Sequence, residues 1–288
     1  MSETSIFEPE RPNSLDVAWC PGCGNFGIKN ILKKAFTELN LKPNEIAIVS
    51  GIGQAAKMVH YINVNAYHSL HGRSVPIATA VKAMNPNLTV FAEGGDGDMY
   101  AEGGNHLLHA FRRNPDMVIL VHNNQIYGLT KGQGSPTTAT GQITTSQPFG
   151  VSQTPYNAVA SAVVCDASFV ARTFMGFMDE SVRIIKDAIK HKGLSFVEIF
   201  HPCVSFNKIN DYKWYKEHTY FLKNHNSKDR KEAILKAMEE HPFPLGIFYE
   251  KDKPTFEDSL KVYERDQTPL YERSTDMNKI KKLVDSFH

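Results

Sequence analysis

Short runs of strand-forming residues alternate with helical segments between residues 28 and 200, and this alternation restricts the possible folds more than any other feature. Five such runs are EIAIVSG, LTVFAEGG, DMVILVHNN, SFVAR and LSFVEIF. Apolar residues at helical spacing predict helices over 28–39, 102–113, 155–164 and 178–191. Strands that alternate with helices are typical of a mostly parallel sheet covered by helices on both faces. We therefore predict an α/β fold.

The carboxyl ends of the predicted strands indicate where a ligand would bind, because ligands of open α/β sheets lie beyond those ends. We expect the functional residues to follow Gly51, Gly94, His122 and Phe200. The long segment 125–154 is almost devoid of aliphatic residues. A loop of that length within a compact domain is usually functional or disordered.

Composition limits the domain organisation and the classes of partner. Beyond Asp211 the chain is richer in Lys, Glu and Asn, with one clear helix near 230–240, so we predict a domain over 1–210 and an extension over 211–288 that packs on it or on a partner subunit. A formal net charge of +1 gives no indication of nucleic acid or membrane binding. The start of the chain lacks a signal-peptide pattern and no apolar run is long enough to span a membrane, so we expect a cytoplasmic protein.

The sharpest functional signal is EGGDGDMY followed by HNNQIYG. One predicted strand ends at Asp96, in a turn with Gly94, Gly95 and Gly97, and the next strand ends at Asn124. The glycines let the backbone approach phosphate oxygens, and the following helix points its positive end at the same place. An Asp and an Asn at neighbouring strand ends supply oxygen ligands for Mg²⁺, which would bridge to a diphosphate. The alternative is an ordinary turn capped by aspartates.

The GDG motif, followed after about thirty residues by NN, resembles the motif of thiamine-diphosphate enzymes. The ordered motifs CPGCG, SGIG, LHGR, HAFRRN, SPT and HPCVSFN resemble the β subunit of the 2-oxoacid:ferredoxin oxidoreductases over about 19–207. The resemblance implies a thiamine-diphosphate-binding fold of the diphosphate-binding type. It also implies CoA-dependent oxidative decarboxylation of a 2-oxoacid, with electrons passed through an iron–sulfur cluster to ferredoxin.

At matching positions, the resemblance implies that Mg²⁺ is bound by the side chains of Asp96 and Asn124 and by the Ile126 carbonyl. The residues that would contact the diphosphate are Gly95, Gly97 and Asp98.

Three further residues resemble family positions around the cofactor. His71 in SLHGR would reach the cofactor from another strand end, although it could instead cap the helix that follows Arg73. Leu129 would support the bent cofactor, and Lys131 would be a cation that faces the substrate. An ordinary solvated loop lysine is the alternative for Lys131.

The stretch WCPGCGNFG places two thiols three positions apart in a turn. A chain of this size and expected location uses four cysteines more often for metals or catalysis than for structural disulfides. A thioredoxin-like disulfide is disfavoured because the motif does not follow a strand of a βαβ unit. The resemblance implies that Cys20, Cys23 and Cys203 bind a [4Fe-4S] cluster, whose iron favours thiolate ligands.

Residue 54 departs from the family pattern. Many relatives have SGIGC and use that cysteine as the fourth cluster ligand, whereas this chain has SGIGQ, with Gln54 there. The fourth ligand could be Cys165, a non-thiolate group or a residue of a partner chain, or the cluster could contain three irons. The ordinary interpretation of Cys165, in VASAVVCDASF, is a small buried apolar residue.

The resemblance implies an α subunit as partner, which would supply the glutamate that contacts the aminopyrimidine of the cofactor. Ferredoxin, coenzyme A and a 2-oxoacid are the other implied partners. We favour 2-oxoglutarate as the substrate, and pyruvate, branched-chain and aryl 2-oxoacids stay open, as does the direction of the reaction.

Two rival functions compete with this interpretation. One is a non-redox thiamine-diphosphate decarboxylase or synthase in which the three cysteines hold a structural zinc ion, with His201 available as the fourth ligand. The other is a small iron–sulfur electron carrier with a vestigial nucleotide fold. The Asp96 and Asn124 pair disfavours the carrier, which would have no use for a Mg²⁺–diphosphate site.

Overall fold

The computed structural model describes residues 5–9 and 17–287. The polar start of the chain, on which the expectation of no signal peptide depends, lies mostly outside the described residues.

Eight strands of the described residues form one sheet: β1 Ile46–Ser50, β2 Asn65–His68, β3 Thr89–Gly95, β4 Val118–Asn123, β5 Phe169–Phe174, β6 Ser195–Phe200, β7 Thr219–Phe221 and β8 Phe243–Glu250. Their order across the sheet is β2-β1-β3-β4-β6-β5-β8-β7. All neighbouring strands are parallel except β5 and β8, which pair antiparallel. The predicted mostly parallel sheet is confirmed.

The helices of the described residues are α1 Asn25–Glu38, α2 Ser74–Met84, α3 Gly104–Arg113, α4 Ala158–Val164, α5 Met178–Lys190, α6 Tyr212–Glu217, α7 Arg230–Ala237 and α8 Met277–Asp285. Residues of α1 and α5 pack in one hydrophobic core, and residues of α2, α3, α4 and α7 pack in a second. None of these helices has the length and apolarity needed to cross a membrane.

The two cores lie on opposite faces of the sheet, because successive side chains of a strand point in opposite directions. On β3, Phe91 belongs to the first core, whereas Val90 and Ala92 belong to the second. Strands buried on both faces are nearly continuous apolar runs. This explains why β1, β3, β4, β5 and β6 are recognisable in the sequence.

The elements that sequence analysis missed lack such runs. β2 is fully exposed at the edge of the sheet. β8 contains Pro244 and Gly246, which ordinarily weaken a strand assignment. The predicted helix over 102–113 is preceded by a π-helical turn over Asp98–Glu102, which begins directly after Gly97. Strand β8 extends the sheet beyond residue 211, and the division into 1–210 and 211–288 stays a prediction.

The order of the strands brings four loop starts together. β1, β3, β4 and β6 are consecutive and parallel, so their carboxyl ends lie along one edge. The register pairs Ser50 with Glu93 and Gly95 with His122. It also pairs Asn123 with Phe200. The four segments predicted to carry the function therefore begin side by side.

Candidate active site

Asp96 follows β3 and is buried, with 2% of its surface exposed. Its Oδ2 accepts hydrogen bonds from Ser135 Oγ at 2.5 Å and Thr137 Oγ1 at 2.6 Å. Burial raises the pKa of the Asp96 carboxyl to about 6, although both hydroxyls favour the charged form. A buried carboxylate is costly unless a cation neutralises it. The environment of Asp96 therefore suits a divalent cation.

Asn124 lies beyond the end of the neighbouring strand, β4. Its Oδ1 accepts a hydrogen bond from the Ile126 main-chain N–H at 3.1 Å. Its own carbonyl accepts one from Asn207 Nδ2 at 3.0 Å. The Asn124 amide and the Ile126 backbone are thus held in one turn beside the strand that ends at Asp96, an arrangement that fits a set of oxygen ligands for a hard cation.

Asp98 joins three loops. Its Oδ1 accepts hydrogen bonds from the main-chain N–H groups of Ile52 at 3.1 Å and Gly72 at 2.9 Å. His71 Nδ1 lies 2.8 Å from the same oxygen. A Cβ atom at Gly51 would stand only 1.8 Å from Asp98 Oδ2, so only glycine fits there. The Asp98 carboxylate therefore fixes the loops that follow β1 and β2.

The alternative that His71 caps α2 is not what the structure contains. Arg73 is the N-cap residue of α2, which has no side-chain cap. The His71 ring pairs with Asp98 instead, and its side chain is 39% exposed. A partly exposed imidazole that is oriented by a buried carboxylate is available to a ligand at the strand ends.

Leu129 and Lys131 lie in a turn of the loop after β4, between Tyr127 and Gln133, which pair in an isolated bridge. Leu129 is 39% exposed and Lys131 is exposed. The backbone of Lys131 has a φ of 77°, in the left-handed region that non-glycine residues rarely adopt. Such strained residues concentrate at functional sites.

Cys20, Cys23 and Cys203 line a single cleft together with Gln54. Burial, with smaller contributions from the neighbouring Cys203 and Cys20, raises the pKa of the Cys23 thiol to about 11. The sequence-predicted thiols are thus brought together. Cys165 lies elsewhere, at the end of α4, where it packs against the second core.

The cysteine-lined cleft adjoins the Asn124 turn at Gly128. A Cβ atom at Gly128 would lie 3.7 Å from Cys203 Sγ, 3.9 Å from Gln54 Cγ and 4.0 Å from Asn124 Nδ2. This point therefore lies in contact with both the Cys203 thiol and the Asn124 side chain, so a redox centre in the cleft would neighbour a cofactor at the strand ends.

The zinc alternative is disfavoured by the ligand arrangement. Within the described ranges, no three His, Cys, Asp or Glu side chains are grouped so that they could hold a metal ion. A single zinc ion needs its sulfur ligands roughly 3.8 Å apart, whereas an iron–sulfur cube spaces them more widely. His201 is buried, and its ring packs edge-on against His122 with 5.9 Å between the ring centres.

Sequence analysis missed a buried polar network behind Asp96. Glu198 Oε1 accepts hydrogen bonds from Tyr100 at 2.7 Å and Asn123 at 3.0 Å, and Oε2 accepts one from Arg172 Nε at 2.6 Å. Asn123 Oδ1 in turn lies 3.0 Å from Thr137 Oγ1, which donates to Asp96. The available signal was a charged residue inside each of two apolar strands.

Sequence analysis also missed a second group of buried polar side chains, on β3, β4 and the first residue of α1. His122 Nε2 lies 3.0 Å from Glu93 Oε1, and His122 Nδ1 lies 2.9 Å from Asn25 Oδ1. Burial raises the pKa of Glu93 well above its usual range and lowers that of His122 to about 3. His122 is therefore neutral near pH 7, and burial favours the protonated form of Glu93.

Comparison with known protein families identifies the fold as that of a thiamine-diphosphate-binding domain. The family model described as "Thiamine pyrophosphate enzyme, C-terminal TPP binding domain" matches residues 49–199. The family model for the C-terminal part of the pyruvate ferredoxin oxidoreductase β chain matches residues 203–265.

Similarity to individual proteins identifies the family within the thiamine-diphosphate enzymes. The chain is 42% identical over 256 residues to 2-oxoacid:ferredoxin oxidoreductase 1, subunit beta, of Aeropyrum pernix, covering 84% of this chain and 80% of that protein. It is 35% identical to 2-oxoglutarate synthase subunit KorB of Methanocaldococcus jannaschii, covering 87% of this chain and 93% of that protein. A solved structure of 2-oxoglutarate:ferredoxin oxidoreductase from Magnetococcus marinus, with 2-oxoglutarate, coenzyme A and succinyl-CoA bound, has a TM-score of 0.88 and 34% identity, covering 98% of this chain and 97% of that chain. The protein belongs to the β subunits of the 2-oxoacid:ferredoxin oxidoreductases.

Proposed function

We propose that Asp96, Asn124 and the Ile126 carbonyl hold Mg²⁺ against the diphosphate of thiamine diphosphate. The observation that carries this proposal is the burial of Asp96 beside the Asn124 turn, which makes a cation favourable there. Gly97 lies against the Tyr127 ring, where a Cβ atom would stand 2.2 Å from Cε1, so only glycine fits in this turn. Gly95 and Gly97 would contact the diphosphate through their backbone. Because the Asp98 carboxylate already bonds to two loops, its contact with the diphosphate would be through its main-chain N–H.

The second part of the proposal is an iron–sulfur cluster on Cys20, Cys23 and Cys203. The three thiols line one cleft, which adjoins Asn124 at Gly128, and soft thiolates suit iron–sulfur iron. The cluster would supply a one-electron path from the cofactor to ferredoxin. A separate α subunit would supply the glutamate for the aminopyrimidine, since the candidate residues of this chain surround only the diphosphate end. We also propose that the complex is cytoplasmic.

Other residues of this chain orient the reactants. Thiamine diphosphate, when bound, supplies the nucleophilic carbon and the electron sink for decarboxylation of a 2-oxoacid, and coenzyme A takes the acyl group. The His71 imidazole, whose Nδ1 faces Asp98, would contact the cofactor through the opposite side of its ring. Leu129 would support the bent cofactor, and the Lys131 ammonium would face a carboxylate of the substrate.

We propose 2-oxoglutarate as the preferred substrate. The names of the Methanocaldococcus relative and of the Magnetococcus structure both specify 2-oxoglutarate, and the second also specifies coenzyme A and succinyl-CoA. The test is kcat/KM for 2-oxoglutarate, pyruvate and a branched-chain 2-oxoacid in the assembled complex. A higher value for pyruvate would reject the substrate while leaving the reaction class intact.

The cofactor proposal is tested with Asp96→Asn and a matched control, Asp179→Asn, whose aspartate is 90% exposed on α5. We expect Asp96→Asn to weaken Mg²⁺-dependent binding of thiamine diphosphate at least about tenfold and to abolish 2-oxoacid-dependent viologen reduction. The control should match the wild type in both titration calorimetry and activity. Unchanged cofactor binding in Asp96→Asn would reject the assignment.

A further inference from the structure

Gln54 is firmly positioned at the edge of the cysteine-lined cleft. It is the N-cap residue of a short 3₁₀ helix, Ala55–His60, which follows β1. The Gln54 carbonyl accepts a hydrogen bond from Trp19 Nε1 at 2.7 Å. Because Trp19 directly precedes Cys20, this bond ties the Gln54 backbone to the segment that carries two of the thiols.

The Gln54 side chain lines the cleft. A Cβ atom placed on Gly128 would lie 3.9 Å from Gln54 Cγ and 3.7 Å from Cys203 Sγ. Its Oε1 atom is buried and has no hydrogen-bond partner among residues 5–9 and 17–287. A buried amide oxygen without a partner is costly, because it has lost its hydrogen bonds to water and gained none in return. An oxygen of this kind, on a side chain that lines the same cleft as three thiols, has the free lone pairs of a metal ligand.

We propose that the Gln54 Oε1 atom binds the fourth iron of the cluster, which would thus be held by three thiolates and one amide oxygen. This inference rests on the proposed cluster at Cys20, Cys23 and Cys203. Binding of the fourth iron by an amide oxygen has two chemical consequences. A neutral oxygen binds iron more weakly than a thiolate does, and it leaves the cluster one negative charge short of a four-thiolate site, which raises the reduction potential.

Weak ligation makes the fourth iron the one that is lost on oxidation. A one-electron oxidant such as ferricyanide takes one electron from the [4Fe-4S]²⁺ state, giving [4Fe-4S]³⁺ and ferrocyanide. The oxidised cluster then releases Fe²⁺ as the bond to the amide oxygen breaks, leaving [3Fe-4S]⁺ on the three thiolates. Charge and iron balance in both steps.

The experiment uses the anaerobically purified complex of this chain with its partner subunit, as wild type, Gln54→Cys and Gln54→Ala. Iron, acid-labile sulfide and the EPR spectrum are measured before and after ferricyanide. We expect the wild type to start near four irons per four sulfides, to lose about one iron and to gain the EPR signal of an oxidised three-iron cluster. Gln54→Cys should keep its iron, and Gln54→Ala should hold about three irons as purified.

Gln153→Cys is the matched control, because it adds a cysteine at an exposed loop position outside the cleft. It should behave as the wild type does. A wild type that keeps four irons through oxidation would overturn the inference and leave the proposed cluster standing. So would a Gln54→Ala variant that matches the wild type. Absence of iron and sulfide from every variant would overturn the proposed function itself.

Discussion

Replacing Arg172 with methionine should destabilise the protein by breaking a buried ion pair. Arg172 and Glu198 face each other in the register of β5 and β6, and their side chains are only 5% and 2% exposed. Arg172 Nε lies 2.6 Å from Glu198 Oε2. The guanidinium also lies over the rings of Phe200 and Phe243, 5.2 and 5.5 Å from their centres. Arg172→Met keeps much of the apolar stem and removes the charge.

The expected loss in the free energy of unfolding follows from the hydrogen bonds that Glu198 keeps. After the substitution, its carboxylate is still buried but keeps hydrogen bonds only from Tyr100 and Asn123. An uncompensated buried charge of this kind costs about 3–5 kcal/mol. At about 2–4 °C per kcal/mol for a chain of this size, the unfolding midpoint should fall by roughly 10 °C.

The assays are urea unfolding and thermal unfolding of the full chain, each followed by circular dichroism. Adding Glu198→Gln to Arg172→Met should recover most of the loss, because the buried charge is then gone. The matched control is Lys213→Met, which breaks an ion pair whose side chains are 80% and 56% exposed and should cost at most about 0.5 kcal/mol. A loss below about 1 kcal/mol in Arg172→Met, or no recovery in the double variant, would refute the reasoning.

Three further predictions concern pH, the Asp98 junction and loop strain. Burial lowers the pKa of His201 to about 3, so below about pH 6.5 the unfolded chain binds a proton that the folded chain does not. The free energy of unfolding should therefore fall by about 1.4 kcal/mol for each pH unit below about 6.5. His201→Leu should remove that contribution, as measured by urea titrations at pH 7 and pH 5. Gly51→Ala should displace the Asp98 carboxylate and weaken thiamine-diphosphate binding about tenfold, measured by calorimetry. Lys131→Gly should relieve the positive φ, changing stability by no more than about 1 kcal/mol while kcat/KM falls.

Each of these predictions has its own contradicting result. The pH prediction is wrong if His201→Leu and the wild type lose equal stability between pH 7 and pH 5. The control for Gly51→Ala is Gly104→Ala, because a Cβ atom at Gly104 would meet nothing within 4 Å. Gly53→Ala is unsuitable, since Gly53 has a φ of 106°. Equal cofactor binding in Gly51→Ala and Gly104→Ala would contradict the role of that junction. A Lys131→Gly variant with full kcat/KM would leave the loop lysine without a functional role.

The parallel part of the sheet could be predicted because its strands are buried on both faces and therefore appear as continuous apolar runs. Edge strand β2 could not, since all four of its residues are exposed and it contains no apolar run. The positions of Asp96 and Asn124 were predictable for the same reason as the strands. Each follows a recognisable strand, and parallel order places the two strand ends together.

The partners of those residues could not be predicted from local pattern. Ser135 and Thr137 lie in a loop without periodicity, 39 and 41 positions from the aspartate that they contact. The burial of Gln54 Oε1 and the place of Gln54 in the cysteine-lined cleft likewise depend on where Trp19 and Gly128 lie in three dimensions. Such contacts are set by tertiary packing, which neither the hydrophobic periodicity nor the residue types of the sequence reveal.

The measurement that tests the central claim most directly is reduction of the iron–sulfur centre by substrate. The anaerobic complex, loaded with thiamine diphosphate and Mg²⁺, is mixed with 2-oxoglutarate and coenzyme A in the absence of ferredoxin and frozen for EPR. We predict a reduced-cluster signal in the wild type and none in Asp96→Asn, with dithionite reducing both equally. An equal signal in both proteins, or none in a wild type that dithionite reduces, would contradict the account.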